Sequence, residues 1–543
     1  MKNITFLITF IAVSVFCHGQ KKTTGVVKAA KPKLVVGIVV DQMRWDYLYR
    51  FADRYGAAGF KRLLDDGFTC ENTFIPYTPT VTAAGHTCVY TGSVPAIHGI
   101  MGNDWFSREH NRNMYCVEDS TATTVGSSSD AGKMSPANLW TTTVTDELRV
   151  ASNFRSKVIG IALKDRGAIL PAGHAANAAY WFDNAHGSFI TSTYYMKELP
   201  AWVQQFNNKK LPDHYLSQNW NTLYPINTYA QSTADEKPYE SNFPGAGTTF
   251  PHLTSSLTKD KYNAFRSTPY ANTFTVEMAK AAVEGEQLGQ SGNTDFLAVS
   301  FSTPDQIGHA FGPNSIEIED NYLRLDKDLA DFFSYLDGKL GKGQYTVFIT
   351  ADHAVSHVPA FNVENKIPAG VLSGSVLKTG LNNMIESRFN IKNGVKAMAN
   401  YQVYLDSTVL QSAESEKIKE AVIQHLLTYP EVSNAFEMNK VSTIALPEFI
   451  KNMVTNGYNQ KLSGDIQYMY KPQYFSGSSK GTTHSSWNPY DSHIPLVWYG
   501  WGIKKGKTNR QTYMTDISPT VSALLHIQMP SGTIGTVIEE VIQ

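Results

Sequence analysis

The chain has 543 residues, 42% hydrophobic and 17% charged, a globular composition long enough for a large core. Lys+Arg is 47 and Asp+Glu 48, so the formal net charge of -1 excludes the basic excess of a general nucleic-acid binder. Four Cys, one of them in the leader, leave Cys70, Cys88 and Cys116, which allow one disulfide at most and no paired thiolate site for zinc.

Residues 1–20 read as a signal peptide. Lys2 is a positive start, Ile4 to Phe16 are a short apolar run, and His18-Gly19-Gln20 precede Lys21-Lys22. The run is too short to span a membrane, so the expected destination is the periplasm or the outside of the cell.

The first core element is Lys33 to Val40, a continuous apolar run that stops at Asp41. A strand buried on both faces of a parallel sheet reads this way. The grammar recurs three times. Val158 to Leu163 ends at Lys164-Asp165-Arg166, Phe296 to Phe301 leads through Ser302-Thr303-Pro304 to Asp305, and Tyr345 to Ala351 ends at Asp352-His353. Each run delivers polar side chains just past its carboxyl end, where sites form in open parallel sheets. Between the last two runs, Ile318, Tyr322, Leu325, Leu329, Phe332, Phe333 and Leu336 space as one helix, with Gly338 placed to cap it. Strand, helix, strand is a βαβ crossover, and the fold class is α/β. Two stretches break the rhythm, about 181–284 and about 358–479, and are read as insertions that wall the site. Core grammar returns with Ile494 to Tyr499 and Pro519 to Leu525.

The chemistry gathers at those strand ends. Asp305 and His309 lie four apart, on one face of a helix, and can bind one metal. Asp352 and His353 are adjacent on a turn, Asp41 ends the first strand, and His484 lies in Gly-Thr-Thr-His-Ser-Ser-Trp. Three Asp and three His suffice for two catalytic sites with three protein ligands each. Oxygen donors with imidazole suit zinc better than copper or an iron–sulfur cluster, and leave manganese and cobalt open. Thr82, in Thr-Pro-Thr-Val-Thr-Ala-Ala-Gly-His, is the candidate nucleophile, at a helix start where backbone N–H groups and the dipole favour an anion. The bland alternative for Thr82 is a helix N-cap. His86, His98 and His357 read as loop-shaping histidines rather than ligands.

In combination and order, these motifs resemble the alkaline phosphatase superfamily, and within it the monomeric, phosphate-irrepressible alkaline phosphatases of Gram-negative bacteria. The likeness rests on Val-Asp41-Gln-Met-Arg, Thr82 with His-Gly-Ile-Met-Gly-Asn103, Lys164-Asp-Arg166, Pro-Asp305 to His309, Ala-Asp352-His353 and His484. It implies a three-layer α/β sandwich with a mostly parallel central sheet and inserted cap segments, one catalytic domain over 31–543. It also implies two zinc ions, one on Asp305, His309 and His484, the other on Asp41, Asp352, His353 and the Thr82 oxygen.

Charge matching points to monoesters. Two zinc ions against three carboxylates and a Thr82 alkoxide leave the metal centre neutral. Lys164 and Arg166 then match a monoester dianion, with Arg gripping two oxygens in a fork and Asn103 adding a neutral donor. A diester carries one charge and a second organic group in their way, and the related phosphodiesterases lack the Lys-x-Arg pair. The reaction expected is a two-step displacement through a phosphothreonine on small-molecule phosphate monoesters, by a monomer. The alternatives are a phosphodiesterase or nucleotide pyrophosphatase on the same scaffold, a sulfatase, whose C/S-x-P/A-x-R motif is missing, and a binding protein with closed structural metal sites.

Overall fold

A computed structural model describes residues 31–243 and 247–543. The signal peptide read at 1–20 lies outside the described residues, as does the run it rests on.

The centre is a ten-stranded sheet. In chain order its strands are β1 (Leu34–Val40), β2 (Phe68–Cys70), β3 (Thr124–Val125), β4 (Val158–Ala162) and β5 (Ala178–Asp183). There follow β6 (Ser188–Ser192), β7 (Asp295–Phe301), β8 (Tyr345–Thr350), β9 (Leu496–Gly500) and β10 (Gly506–Thr508). The spatial order is β10-β2-β9-β8-β1-β7-β4-β5-β6-β3. The block β8-β1-β7-β4-β5 is parallel throughout, and β6 and β9 flank it antiparallel. Four of these five strands are the apolar runs that end in Asp41, Lys164, Asp305 and Asp352, so one sheet edge receives all four polar tips.

Every residue of β1, β7 and β8 is buried, and because strand side chains alternate, both faces must be covered. Four helices do much of this near the site: α1 (Thr82–Thr91), α2 (Asp165–Ala172), α3 (Thr303–Phe311) and α4 (Ile316–Leu340). On β8, the Tyr345 hydroxyl donates to Asp337 of α4 at 2.8 Å. Three residues on, and so on the opposite face, Phe348 meets Tyr90 of α1 with ring centroids 5.9 Å apart. The sheet is the middle of three layers. The crossover from β7 to β8 passes over β1, which lies between them. Its helix is longer than the spacing predicts: Gly338 lies inside α4, and the end is capped by Gly341 at φ 98°. A glycine inside an exposed helical turn costs about 1 kcal/mol against alanine and does not stop a helix of this length.

The 181–284 stretch is not insertion throughout. Trp181 to Asp183 complete β5, Ser188–Ser192 is β6, and the helix Tyr270–Gly285 packs on the sheet. These strands are short and aromatic, so they lack the long aliphatic runs that mark the central ones. The 358–479 stretch carries its own four-stranded antiparallel sheet, ordered 395–399, 402–405, 466–470 and 432–437. Leu381, Ile385, Val403, Ile418, Val422 and Ile466 form a separate core beside it. Cys70, Cys88 and Cys116 are buried free thiols.

Contact between α1 and the β8 end is close at Gly85. A Cβ there would lie 2.3 Å from the Asp352 carbonyl oxygen and 2.7 Å from its Cβ. Gly85→Ala is expected to destabilise the fold by about 1–3 kcal/mol, the range for overpacking a tight core, and to displace Asp352. Equilibrium unfolding in denaturant measures this, and an unchanged midpoint would contradict the packing.

Candidate active site

The polar tips meet as the sheet topology demands. Asp41 continues the β1 ladder, its N–H bonding the Phe301 carbonyl at 3.1 Å, and is fully buried with Asp352 and His353. Lys164 follows β4, and its ammonium bridges Asp41 Oδ2 and Asp305 Oδ2 at 2.6 Å each. Asp305 and His309 share a face of α3, with His309 Nε2 3.1 Å from Asp305 Oδ1. His484 Nε2 stands 3.7 Å from the same oxygen, and the His353 and His484 rings stack at 3.5 Å between centroids.

Thr82 is the first residue of α1, after Val81 at the N-cap, so its side chain is no cap. Its hydroxyl is buried 3.5 Å from His353 Nε2. Asn103 Oδ1 accepts the Ala83 N–H at 2.9 Å, which leaves the amide nitrogen as its available donor. Arg166, on the first turn of α2, donates to the Tyr115 hydroxyl at 2.9 Å, and Tyr115 donates to Asp165 at 2.5 Å. Among the described residues the buried Arg166 Nε has no partner.

Several features of this cluster fit divalent cations. His309 Nδ1 donates to the Thr482 carbonyl at 2.8 Å, His484 Nδ1 to that of Thr80 at 2.7 Å, and His353 Nδ1 to that of Ala354 at 3.0 Å. In the neutral rings this second set of bonds fixes the tautomer and leaves each Nε2 free to hold a cation or a proton. These nitrogens face carboxylate oxygens, with His353 Nε2 3.5 Å from Asp41 Oδ1 and 3.6 Å from Asp352 Oδ2. Both oxygens are buried; among the described residues Asp41 Oδ1 has no hydrogen bond, and the nearest donor to Asp352 Oδ2 is the His86 ring, with Nδ1 3.3 Å away. Acceptors turned on acceptors in a buried place require a cation. Three buried carboxylates against one buried ammonium leave two net negative charges for it to balance.

Two ligand groups have all their donor atoms within 4.8 Å: Asp41, Asp352 and His353, and Asp305, His353 and His484. His309 reaches the second group through Asp305. The first trio matches the one implied by the resemblance, while the second shows His353 near both sets.

The electrostatics agree with crowded charge. Burial, with Asp305 and Asp352 adding to it, drives the Asp41 carboxyl well above its ordinary range. Burial acts on Asp305 in the same sense, but His309, Lys164 and His484 more than offset it and hold that carboxyl well below. Burial and the neighbouring imidazoles of His353 and His309 push His484 far down.

Two residues escaped the sequence reading. Gln42 donates its N–H to Asp352 Oδ1 at 3.1 Å and its amide to Asp305 Oδ1 at 2.7 Å, tying the two ligand sets together. It holds a left-handed φ of 66°, a strained conformation for a side chain of its kind, and Gly308 leaves room for it, since a Cβ there would overlap Gln42 Oε1. Tyr115 aims Arg166. Neither is charged or metal-ligating, so Gln42 passes as filler within the Val-Asp41-Gln-Met-Arg motif and Tyr115 lies in no motif at all. Of the three histidines set aside, His98 bonds the Ile100 N–H and His357 Asn314, while His86 borders the site, with Thr82 O at 2.9 Å, Ser300 at 2.8 Å and Asp352 Oδ2 3.3 Å from its ring.

A family model for type I phosphodiesterase / nucleotide pyrophosphatase matches residues 35–495. The alkaline phosphatase PhoV of Synechococcus elongatus is 54% identical over 100% of both chains. The alkaline phosphatase PafA of Elizabethkingia meningoseptica is 51% identical over 96% of both. The crystal structure of wild-type PafA superposes with a TM-score of 0.92 at 50% identity, covering 95% of this chain and 99% of that one. A Myroides odoratus protein named calcium-transporting ATPase is 53% identical over 95% of this chain and 96% of its own. Among the described residues no helix is long and apolar enough to cross a membrane. The chain belongs to the type I phosphodiesterase / nucleotide pyrophosphatase family of the alkaline phosphatase superfamily.

Proposed function

We propose that this chain is an alkaline phosphatase, a metal-dependent phosphomonoesterase in which Thr82 is the nucleophile. The observation that carries the reading is the pair of cations set on one strand end beside the threonine. Lys164 is buried on the site floor, and Arg166 is fixed by Tyr115 with an unpartnered Nε. Fixed cations stabilise the charge of a transferring phosphoryl group without reorganising.

Asp41, Asp352 and His353 would hold one zinc ion, and Asp305, His309 and His484 the other. Bound zinc supplies Lewis acidity, which lowers the pKa of an oxygen it holds and offsets phosphoryl charge. Arg166 grips two phosphoryl oxygens, Lys164 neutralises the dianion, and the Asn103 amide nitrogen donates to a third oxygen. Thr82 gives up its proton and its oxygen attacks phosphorus. The ester bond breaks, the leaving oxygen takes up a proton from solvent in place of the one Thr82 gave to it, the alcohol departs, and a phosphothreonine remains. Water attacks that phosphorus from the vacated side, returning Thr82 and releasing phosphate. The substrates are small-molecule phosphate monoesters, and the protein acts as a monomer in the periplasm or outside the cell. The catalytic unit runs over 31–543, with the inserted segments walling the site.

The family model also covers phosphodiesterases, and that reading competes on this scaffold. Lys164 and Arg166 weigh against it, because they supply one charge more than a diester needs.

Metal dependence is tested by dialysing the pure protein against a chelator. Turnover of an aryl phosphate should vanish and return with zinc, and elemental analysis should find two zinc ions per chain. Full activity in the thoroughly chelated protein would sink this reading.

A further inference from the structure

Gln42 is fastened to both ligand groups. Its chain neighbour Asp41 belongs to the first, and its own N–H donates to Asp352 Oδ1 of that group at 3.1 Å. The His353 N–H reaches the same oxygen at 3.0 Å, which leaves Asp352 Oδ2 as the oxygen turned to the cluster, 3.6 Å from His353 Nε2. The Gln42 side chain reaches the other group. Its amide nitrogen donates at 2.7 Å to Asp305 Oδ1, the oxygen that His309 Nε2 and His484 Nε2 approach at 3.1 Å and 3.7 Å.

This placement is over-determined. Gln42 is 2% exposed and holds φ at 66°. A left-handed backbone is unfavourable for a residue with a side chain and persists only where the surroundings enforce it. Bonds at both ends of the residue do so here. Gly308 stands between Asp305 and His309 on α3, and a Cβ there would overlap Gln42 Oε1, so the amide lies against the helix backbone that carries both ligands. Lys164 also bridges the two groups, at Asp41 Oδ2 and Asp305 Oδ2. As a cation it competes with a metal for those oxygens, whereas a neutral amide can keep its bond to a ligating carboxylate.

Two divalent cations on neighbouring groups repel, so without a link the first would weaken the second. Resting on the two-cation reading above, we propose that Gln42 is a positioning residue that couples the two groups, so that the ions bind as a pair. Once Asp41, Asp352 and His353 are ordered around an ion, the strand end that carries Gln42 is fixed with them. The Gln42 amide then holds Asp305 Oδ1 in place beside His309 and His484. Linkage makes the effect reciprocal, so filling the Asp305 group favours the Asp41 group equally.

The test titrates chelated, metal-free protein with zinc alone, counts ions per chain by native mass spectrometry and takes the affinities from calorimetry. At one equivalent of zinc, wild-type chains should hold mostly none or two ions. Gln42→Gly keeps the N–H and accepts the left-handed backbone, so the fold should hold. Its affinity for the second ion should fall about 10- to 100-fold, the scale for losing an outer partner of a metal ligand, and one-ion chains should replace two-ion chains. Gln42→Met fills much of the same space without the donor and should behave alike. Wild type that fills mainly through one-ion chains would overturn the proposal. So would paired filling retained in either variant, or an equal loss of affinity for both ions. Wild type that binds no zinc would overturn the two-cation reading itself, and that result separates the two failures.

Discussion

Thr82→Ala is expected to lower kcat/KM for an aryl phosphate monoester by roughly four orders of magnitude or more, the scale seen when a nucleophile is removed from a site that acts as a unit. The hydroxyl is buried, does not cap its helix, and among the described residues has only His353 within reach, so no structural duty is lost with it. The fold should therefore survive, with a change in stability of about 1 kcal/mol or less, as for a conservative change that leaves no buried polar group unpaired. Thr82→Ser keeps the oxygen and should stay within about 10-fold of wild type. Steady-state kinetics on metal-loaded protein decide the matter, and a Thr82→Ala variant with more than a tenth of wild-type turnover would remove the covalent mechanism.

The second large effect concerns Arg166 and Lys164. Arg166→Ala removes two charge-assisted bonds to the phosphoryl group, at about 1.5–3 kcal/mol each, which corresponds to roughly 10²- to 10⁴-fold in kcat/KM. A diester, with one fewer charged oxygen, should lose less, so the preference for monoesters should narrow by about 10-fold or more. Lys164→Ala should narrow it too, but with a further signature. Its ammonium bridges Asp41 and Asp305, and removing one partner of a buried ion pair costs about 3–5 kcal/mol. That loss should appear in the melting of metal-free protein and shrink when zinc is present, because zinc bound there would occupy the same carboxylates. Equal losses on monoester and diester in both variants would mean that these cations stabilise the site without selecting its substrate.

Much of this was legible because the fold concentrates its chemistry. β1, β4, β7 and β8 are aliphatic runs buried on both faces, and such runs announce themselves. Their neighbours in one parallel block follow from the crossover, so Asp41, Lys164, Asp305 and Asp352 had to share an edge. Asp305 and His309 share a helix face by spacing alone. What stayed hidden has physical reasons. β5 and β6 are short and aromatic, and their pattern merges with that of surface loops. Gln42 is neutral, and its role depends on a left-handed backbone and on the space left by Gly308, neither of which a spacing rule contains. Tyr115 acts across 50 residues of chain from Asp165, and only folding brings them together.

The central claim is the preference for a dianion, and it is tested most directly by kcat/KM for an aryl phosphate monoester against the matched diester, on zinc-loaded protein with a chelated control. The account predicts that the monoester wins by several orders of magnitude, roughly 10³-fold or more from the two cations, and that chelation silences both reactions. A diester turned over faster than the monoester would leave the metal cluster standing, contradict the charge match at Lys164 and Arg166, and make the chain a phosphodiesterase.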